Sequence, residues 1–176
     1  MSFAETPTDA APGPLGAALL HLSAAVAVAG GLLLLGAAVL TVFSVTGRQF
    51  AALGPIPGDV ELVELSMAAA IASFLPYCQM KRGHVIVDFV TGFLSPRAKS
   101  RLDALAALAF AGCAAIITWR LTLGGIDMRA YNDQTMVLGV PTWLSFTVMV
   151  PSFALLAITC LYTAAIKLSH PESPGR

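Results

Sequence analysis

Charged side chains are scarce in this sequence. Ten Lys and Arg residues and ten Asp and Glu residues make up 11% of the 176 residues, whereas 57% are hydrophobic and the mean hydropathy is +0.79. Roughly a quarter of the residues in a typical soluble domain are charged, so this composition predicts an integral membrane protein. The two signs cancel, and no basic run is interleaved with aromatic residues, so we expect no nucleic-acid partner.

Residues that carry out chemistry are also few. The three cysteines, Cys78, Cys113 and Cys160, form no CxxC pair, and an odd number without such spacing argues against a structural disulfide or a zinc site. The three histidines are too dispersed to hold a haem from two sides inside a bundle. The sequence contains no phosphate loop and no nucleophile elbow. We therefore expect no enzymatic activity and no cofactor.

Long uncharged stretches dominate the sequence. A membrane-spanning helix needs about 20 mostly apolar residues, and four stretches meet this requirement. Because lipid satisfies no backbone hydrogen bond and the stretches lack strand-like alternation, they predict helices rather than a barrel. The fold class is therefore an all-α membrane domain over residues 15–168, between tails at 1–14 and 169–176. We expect the four spans at about residues 18–46, 60–79, 98–123 and 141–167.

Turn-forming residues mark the expected helix ends. The glycines and prolines of residues 54–58 break the chain before Asp59, which we expect to cap the second helix. Pro96 suits the first position of the third helix, and the glycine pair at 124–125 is expected to close it. Pro151 lies inside the fourth span, where it should bend the helix.

Small residues recur four positions apart in three of the spans. Such spacing lets helix backbones approach each other closely in a membrane. The expected packing faces are Ala25 and Ala29 in the first helix, Ala68 and Ala72 in the second, and Ala107, Ala111 and Ala115 in the third.

Basic residues near the spans predict the orientation. Lys81, Arg82, Arg97, Lys99 and Arg101 lie between the second span and the apolar part of the third, and Lys167 and Arg176 lie at the end of the fourth and beyond, whereas the other side has Arg48, Arg120 and Arg129. Loops on the cytoplasmic side carry the excess of Lys and Arg. Both termini and the loop between the second and third spans are therefore expected in the cytoplasm.

The segment at residues 84–94 between the second and third spans is amphipathic. Its polar residues recur every three or four positions, opposite a broad apolar face. It is too short to cross the membrane, so we expect a helix lying in the cytoplasmic interface, anchored by Ile86, Phe89 and Phe93. An ordinary loop folded back on the bundle is the alternative.

Three acidic residues open the second helix, and they allow two interpretations. Acidic residues embedded in a membrane often form an ion or proton site, which Glu61 and Glu64 would provide here. Alternatively, Asp59 and Glu61 interact with the dipole of the helix N-terminus, while Glu64 pairs with Arg48 or with a partner chain. Because all three lie in the first turns, near water, we prefer the second interpretation.

Four short motifs resemble those of a known family. The similarity runs from about Val42 to Leu168, and the motifs occur in the family's order. The motifs are Val45-x-x-Arg48-x-Phe50, Glu64-Leu65-Ser66, Lys81-Arg82-Gly83-His84-Val85-x-Val87-Asp88, and Leu138-Gly139-Val140-Pro141-x-Trp143 followed by Pro151. The third motif has one residue fewer between its glycine and its histidine than the family pattern. The chain thus resembles the small, DctQ-like membrane subunit of TRAP (tripartite ATP-independent periplasmic) transporters.

The resemblance implies a three-part importer in the bacterial inner membrane. A periplasmic binding protein delivers an organic acid, a large membrane subunit carries it by sodium-coupled secondary transport, and the small subunit binds the large one and anchors it among the membrane lipids. The small subunit is non-catalytic, and no residue of it is expected to bind the solute. Candidate residues for docking the binding protein are Asp127, Arg129 and Asp133 in the loops on the outer side.

A small four-helix membrane enzyme of the glutathione-using type is the alternative. It would need a cytoplasmic site rich in arginine and tyrosine, and Arg97, Arg101 and Tyr162 are available but form no recognisable motif. A small multidrug exporter would need an acidic residue deep in the first helix. Residues 15–47 contain none, so that function is excluded.

Overall fold

The protein is described from a computed structural model, which places residues 14–49, 57–81 and 96–169. The described residues form four helices and no strand: α1 Pro14–Gln49, α2 Asp59–Met80, α3 Pro96–Ala130 and α4 Trp143–Ser169. All four are long and apolar enough to cross a membrane, which confirms the all-helical prediction with four candidate spans. The predicted interfacial helix at 84–94 lies outside the described residues, and the cytoplasmic orientation stays a prediction.

The sequence predicted the start of α3 correctly but not its end. The helix begins at Pro96, but it continues through the glycine pair at 124–125 to Ala130, so the prediction that this pair ends the helix was wrong. These glycines serve packing instead of termination. A Cβ added to Gly125 would lie only 3.0 Å from the Cβ of Phe146 on α4, so the absence of a side chain lets α3 and α4 approach each other closely.

The start of α2 also differs from the prediction. Gly58 is the residue that caps the helix, in the left-handed conformation with φ 79°, and Asp59 is the first helical residue. Its carboxylate is used elsewhere, as described below. Prolines lie inside both α2 and α4, at Pro76 and Pro151, and each helix continues past its proline.

The helices pack in the order α1–α2–α4–α3. Helix α1 packs on α2, α2 packs on α4, and α4 packs on α3, while α1 only touches α4. Helices α1 and α3 are therefore the outer members, each packed along one side only. This order differs from the order along the chain.

A stripe of small residues on α1 faces α2. Gly16, Ser23, Gly30, Ala37 and Ser44 are buried and lie seven residues apart. A seven-residue repeat keeps one side of a helix against a neighbour that crosses it at a shallow, left-handed angle. The close approach is measured at Gly30, where an added Cβ would lie 2.7 Å from the Cβ of Ser73.

The predicted four-residue spacing of small residues identifies the packing faces only in part. Ala25 and Ala29 are exposed, so the predicted face of α1 was wrong. On α3, Ala107 and Ala111 are buried but Ala115 is exposed, and the buried stripe continues through Ala114. The reason is geometric, because steps of four drift around the helix whereas alternating steps of three and four stay on one side.

Candidate docking surface at the loop end

The end of α1, the start of α2 and one loop lie at the same end of the bundle. The end of α1, the start of α2 and the loop at residues 131–142 between α3 and α4 together form what we call the loop end. Because α1 runs towards this end and α2 runs away from it, their charged terminal residues come into contact across the linker.

An acidic side chain at the start of α2 joins α1 to α2. The carboxylate of Asp59 accepts hydrogen bonds from the Ser44 hydroxyl at 2.5 Å and from the Arg48 guanidinium at 2.8 Å, both to the same oxygen. The Asp59 side chain is only 12% exposed. An ion pair with hydrogen bonds on a shared oxygen fixes both orientation and distance. This group of three residues, the Asp59 clasp, holds the end of α1 against the start of α2.

The partner of Arg48 in the structure differs from the predicted one. Arg48 pairs with Asp59 instead of Glu64. Glu64 lies five residues further along α2, about 7.5 Å deeper at the helical rise, and it is exposed without a side-chain partner among the described residues. The structure therefore brings Arg48 and Asp59 together and leaves Glu64 separate.

Glu61 holds the loop between α3 and α4. Its two carboxylate oxygens accept hydrogen bonds from the backbone N–H groups of Val137, at 2.8 Å, and Leu138, at 3.1 Å. Two adjacent amides on one carboxylate form a bidentate contact, which is stronger and more directional than a single neutral bond. The sequence predicted correctly that Glu61 lies in the first turn of α2. It did not indicate a contact with Val137, which is 76 positions further along the chain.

The side chain of Leu138 lies on Gly58. A Cβ added to Gly58 would be 2.4 Å from the Cγ of Leu138, and the φ of Gly58 is 79°. Both the conformation and the space therefore require glycine. Together with Glu61, this contact locks the α3–α4 loop onto the start of α2.

The loop at residues 131–142 is internally bonded. The Thr135 N–H donates to the Val140 carbonyl at 2.9 Å, and the Val140 N–H donates to the Thr135 hydroxyl at 3.0 Å. Gly139, with φ 64°, closes the turn by donating its N–H to the Thr135 carbonyl at 3.1 Å. A turn held by its own hydrogen bonds and by Glu61 presents its side chains in one arrangement, which favours binding because little entropy is lost.

The three candidate docking residues have different environments. The Arg129 guanidinium lies over the Trp143 ring, 5.5 Å from its centroid, which is a cation–π contact. The Asp133 carboxylate accepts a hydrogen bond from the Thr142 hydroxyl at 2.8 Å. Asp127 is exposed and has no side-chain partner among the described residues. Asp127 is therefore the one of the three whose charge is unused within the described part of the chain.

Apolar side chains project from the tip of the loop. Tyr131, Met136 and Val137 are 84%, 100% and 61% exposed. Exposed aromatic and methionine side chains are typical of binding surfaces, where they supply contact area. The sequence did not indicate these three residues as part of a binding surface, because an apolar residue next to a predicted span is indistinguishable from a residue of that span.

The remaining motif residues lie partly within the described structure. Pro141 forms the bridge to Gln134, and its carbonyl accepts a hydrogen bond from the Leu144 N–H at 3.2 Å, so it leads directly into α4. Trp143 is the first residue of α4, and Pro151 lies within that helix. The other predicted positions, His84, Ile86, Asp88, Phe89 and Phe93, lie outside the described residues.

Comparison with protein families identifies the family of the chain. The family model for the DctQ component of tripartite ATP-independent periplasmic transporters matches residues 37–169, which include α2, α3, α4, the Asp59 clasp and the whole loop end. The chain belongs to the DctQ family. Comparisons with curated proteins and with solved structures give no match.

Membership of the DctQ family identifies the protein as the small membrane component of a TRAP transporter. Components of this family work beside a larger membrane subunit and a periplasmic binding protein. The assignment favours the transporter interpretation over the glutathione-using enzyme, and the four motifs of the sequence analysis lie within the matched range. The structure adds that two of them, around Arg48 and around Pro141, belong to the contacts of the loop end.

Proposed function

We propose that this DctQ-family chain is a non-catalytic scaffold subunit that holds the large subunit of a sodium-coupled organic-acid importer in the membrane. The observation that carries the proposal is the open packing of the helices. In the most apolar part of each span, only 17% to 28% of the residues are buried within the chain. A helix facing the core of a closed bundle buries about three residues in seven.

The exposed surface of the bundle needs a partner or lipid. Helices α1 and α3 are each packed on one side only, and most of their large hydrophobic residues are exposed. A large membrane subunit packed against one of these faces would bury that surface, while lipid covers the rest. A chain whose described helices expose so much packing surface suits a scaffold.

The loop end supports a second part of the proposal, that it docks the periplasmic binding protein. Docking needs a surface that is outside the membrane, rigid and only partly polar. The turn held by Glu61 is rigid, its tip is apolar, and the unpaired carboxylate of Asp127 lies close to it at the end of α3. The proposal requires the loop end to lie in the periplasm, which is also what the distribution of basic residues predicts.

The interfacial segment would complete the anchor. Its apolar residues Ile86, Phe89 and Phe93 would enter the cytoplasmic surface of the lipid and resist tilting of the scaffold. Changing all three to glutamate should lower uptake and the yield of complex. Thr91→Glu, on the polar side of the same segment, is the matched control and should leave both unchanged.

Co-purification tests the proposed function directly. A tag on the C-terminal tail, mild solubilisation and mass spectrometry should recover a stoichiometric membrane protein with many spans. Proteoliposomes with the purified complex and its binding protein should then take up the organic acid only with an inward sodium gradient. Recovery of a homo-oligomer with no large partner would contradict the proposal.

Binding-protein docking has its own test. Asp127→Lys should weaken binding of the periplasmic protein to the purified membrane complex, because it reverses an unpaired charge without removing a contact inside the chain. Glu64→Lys, a reversal at another exposed acid outside the loop, is the control. Equal binding by both variants and the wild type would exclude Asp127 from the docking surface.

A further inference from the structure

The side of α3 that points away from α4 carries an unusual charge. Because Ala104, Ala107, Ala111 and Ala114 face the bundle, the residues opposite them on the helix face outward. We call this the outer face of α3, and it comprises Leu105, Ala109, Ile116, Arg120 and Leu123, all of which are exposed. Arg120 is the only charged residue among these five.

Arg120 lies ten residues inside the C-terminal end of the candidate span Ala104–Ala130, which is deeper than the predicted third span, ending at residue 123, had placed it. The nearest charged residues along the helix are Asp127, seven residues later, and Asp103, seventeen residues earlier. At a rise of 1.5 Å per residue these are about 10 Å and about 25 Å away. The neighbouring helix offers no charge at this depth, since residues 143–166 of α4 are uncharged.

No group of the described chain compensates this charge. Within the described ranges, the Arg120 guanidinium makes no hydrogen bond, no ion pair and no cation–π contact. The adjacent Trp119 ring is itself 71% exposed and does not cover it. An arginine at this depth is costly in lipid, and such residues normally face a protein partner or an aqueous cavity and pair there.

The opposite edge of the bundle differs in chemistry. Helix α1 has no charged residue from Leu15 to Gly47, and its large exposed side chains, such as Leu35 and Val39, are aliphatic. Such a surface is compatible with lipid. The two outer helices of the row are therefore not equivalent, and only α3 requires a group of opposite charge.

We propose that the outer face of α3 is the surface that meets the large membrane subunit, and that Arg120 pairs there with a carboxylate on a transmembrane helix of that subunit. This inference rests on the proposed function and specifies which side of the scaffold the transport subunit occupies. Helix α1 then faces the lipid. The Arg120 ion pair would fix the depth and rotation of one subunit against the other, because a charge buried between helices tolerates little displacement.

Site-specific photo-crosslinking in the complete complex tests the assignment of faces. A photoreactive amino acid at Ile116 or Leu123 on α3 should crosslink to the large subunit, whereas the same amino acid at Leu35 on α1 should not. Crosslinking from Leu35 and not from the two α3 positions would overturn the proposal while leaving the scaffold function intact.

Substitution of Arg120 tests the ion pair. Arg120→Gln should lower the amount of co-purified large subunit on the order of tenfold or more, because it leaves a carboxylate unpaired in the interface. Arg120→Lys should retain most of the complex, and Arg129→Gln, which removes an exposed arginine near the C-terminal end of α3, should not reduce it. The melting temperature of the isolated Arg120→Gln subunit should equal that of the wild type, since Arg120 has no partner within the described chain.

Two further results of these experiments would contradict the proposal. If Arg120→Gln leaves the yield of complex unchanged but abolishes co-purification of anionic phospholipid, Arg120 pairs with a lipid phosphate and the proposal is wrong. If the wild-type chain itself recovers no large subunit, the proposed function fails, and the assignment of α3 fails with it.

Discussion

Gly30 lies where α1 and α2 are closest, and it offers a quantitative test of the packing. An added Cβ would lie 2.7 Å from the Cβ of Ser73 and 3.1 Å from the carbonyl oxygen of Ala70. Neither atom belongs to the end of a flexible side chain. In Gly30→Ala the helices must separate by roughly 0.7 Å, the difference from the 3.4 Å at which ordinary contact begins.

The expected cost follows from overpacking. Extra methyl groups in a well-packed interior cost about 1–3 kcal/mol, and the better helix propensity of alanine offsets about 0.5–1 kcal/mol of that. Gly30→Ala should therefore lose up to about 2 kcal/mol of stability. Gly36→Ala on the same helix should be neutral or slightly stabilising, because an added Cβ at Gly36 meets nothing within 4 Å.

Thermal unfolding in detergent, followed with a thiol-reactive dye, provides the measurement. Cys160 is fully buried, so it reacts only when the bundle opens, and replacing the exposed Cys78 and Cys113 by alanine makes it the sole reporter. Ser73→Gly removes the opposing Cβ and should recover part of the stability lost in Gly30→Ala, because the contact with the Ala70 carbonyl oxygen remains. Equal melting temperatures for the Gly30→Ala and Gly36→Ala variants, or no rescue by Ser73→Gly, would refute the close crossing of α1 and α2.

Three other predictions concern the loop end. Gly58→Ala should destabilise the protein by about 1–2 kcal/mol because of the left-handed conformation alone, and further because the new methyl group clashes with Leu138. In the same melting assay, adding Leu138→Ala should recover only the stability lost to the clash. Glu61→Gln should speed hydrogen exchange of the Leu138 amide and cleavage of the loop by protease, because a neutral amide supplies one acceptor oxygen where the carboxylate supplied two. The control Glu64→Gln changes an exposed acid without a described partner and should change neither rate. Asp59→Asn should loosen the end of α1 and increase the reactivity of a cysteine that replaces Ala37, a buried residue on the same side of α1. Reactivity equal to that in the Asp59 protein would show that the ion pair does not hold α1.

The three loop-end contacts have one structural consequence in common. The Asp59 clasp joins α1 to α2, and Glu61 and Gly58 join α2 to the loop between α3 and α4. Helices α1 and α3 do not pack on each other extensively within the described residues. The start of α2 therefore connects the two outer halves of the row, and perturbing it should affect both linkers together.

The sequence predicted several residues of the site but not the contacts that they make. Arg48, Asp59, Glu61, Pro141 and Trp143 were all noted as residues of interest, and the structure gives each of them a defined contact. The partners of Arg48 and Glu61 were not predictable, because their contacts join positions that are 11 and 76 residues apart. Charge type and helix-end position identify a residue that needs a partner, but they do not say which of several partners lies within reach.

The sequence by itself determined that this protein has four membrane-spanning helices and belongs to the DctQ family. Both conclusions depend on local properties: an uncharged stretch of sufficient length must be helical in lipid, and short motifs can be read in order along the chain. Only the tertiary structure decided the packing order α1–α2–α4–α3 and the pairing of Arg48 with Asp59. It also decided that Ala114, not Ala115, faces the bundle. These features depend on the rotation of each helix about its axis and on which helix is its neighbour. In a chain that is apolar on nearly every side, hydrophobic periodicity carries no information about either.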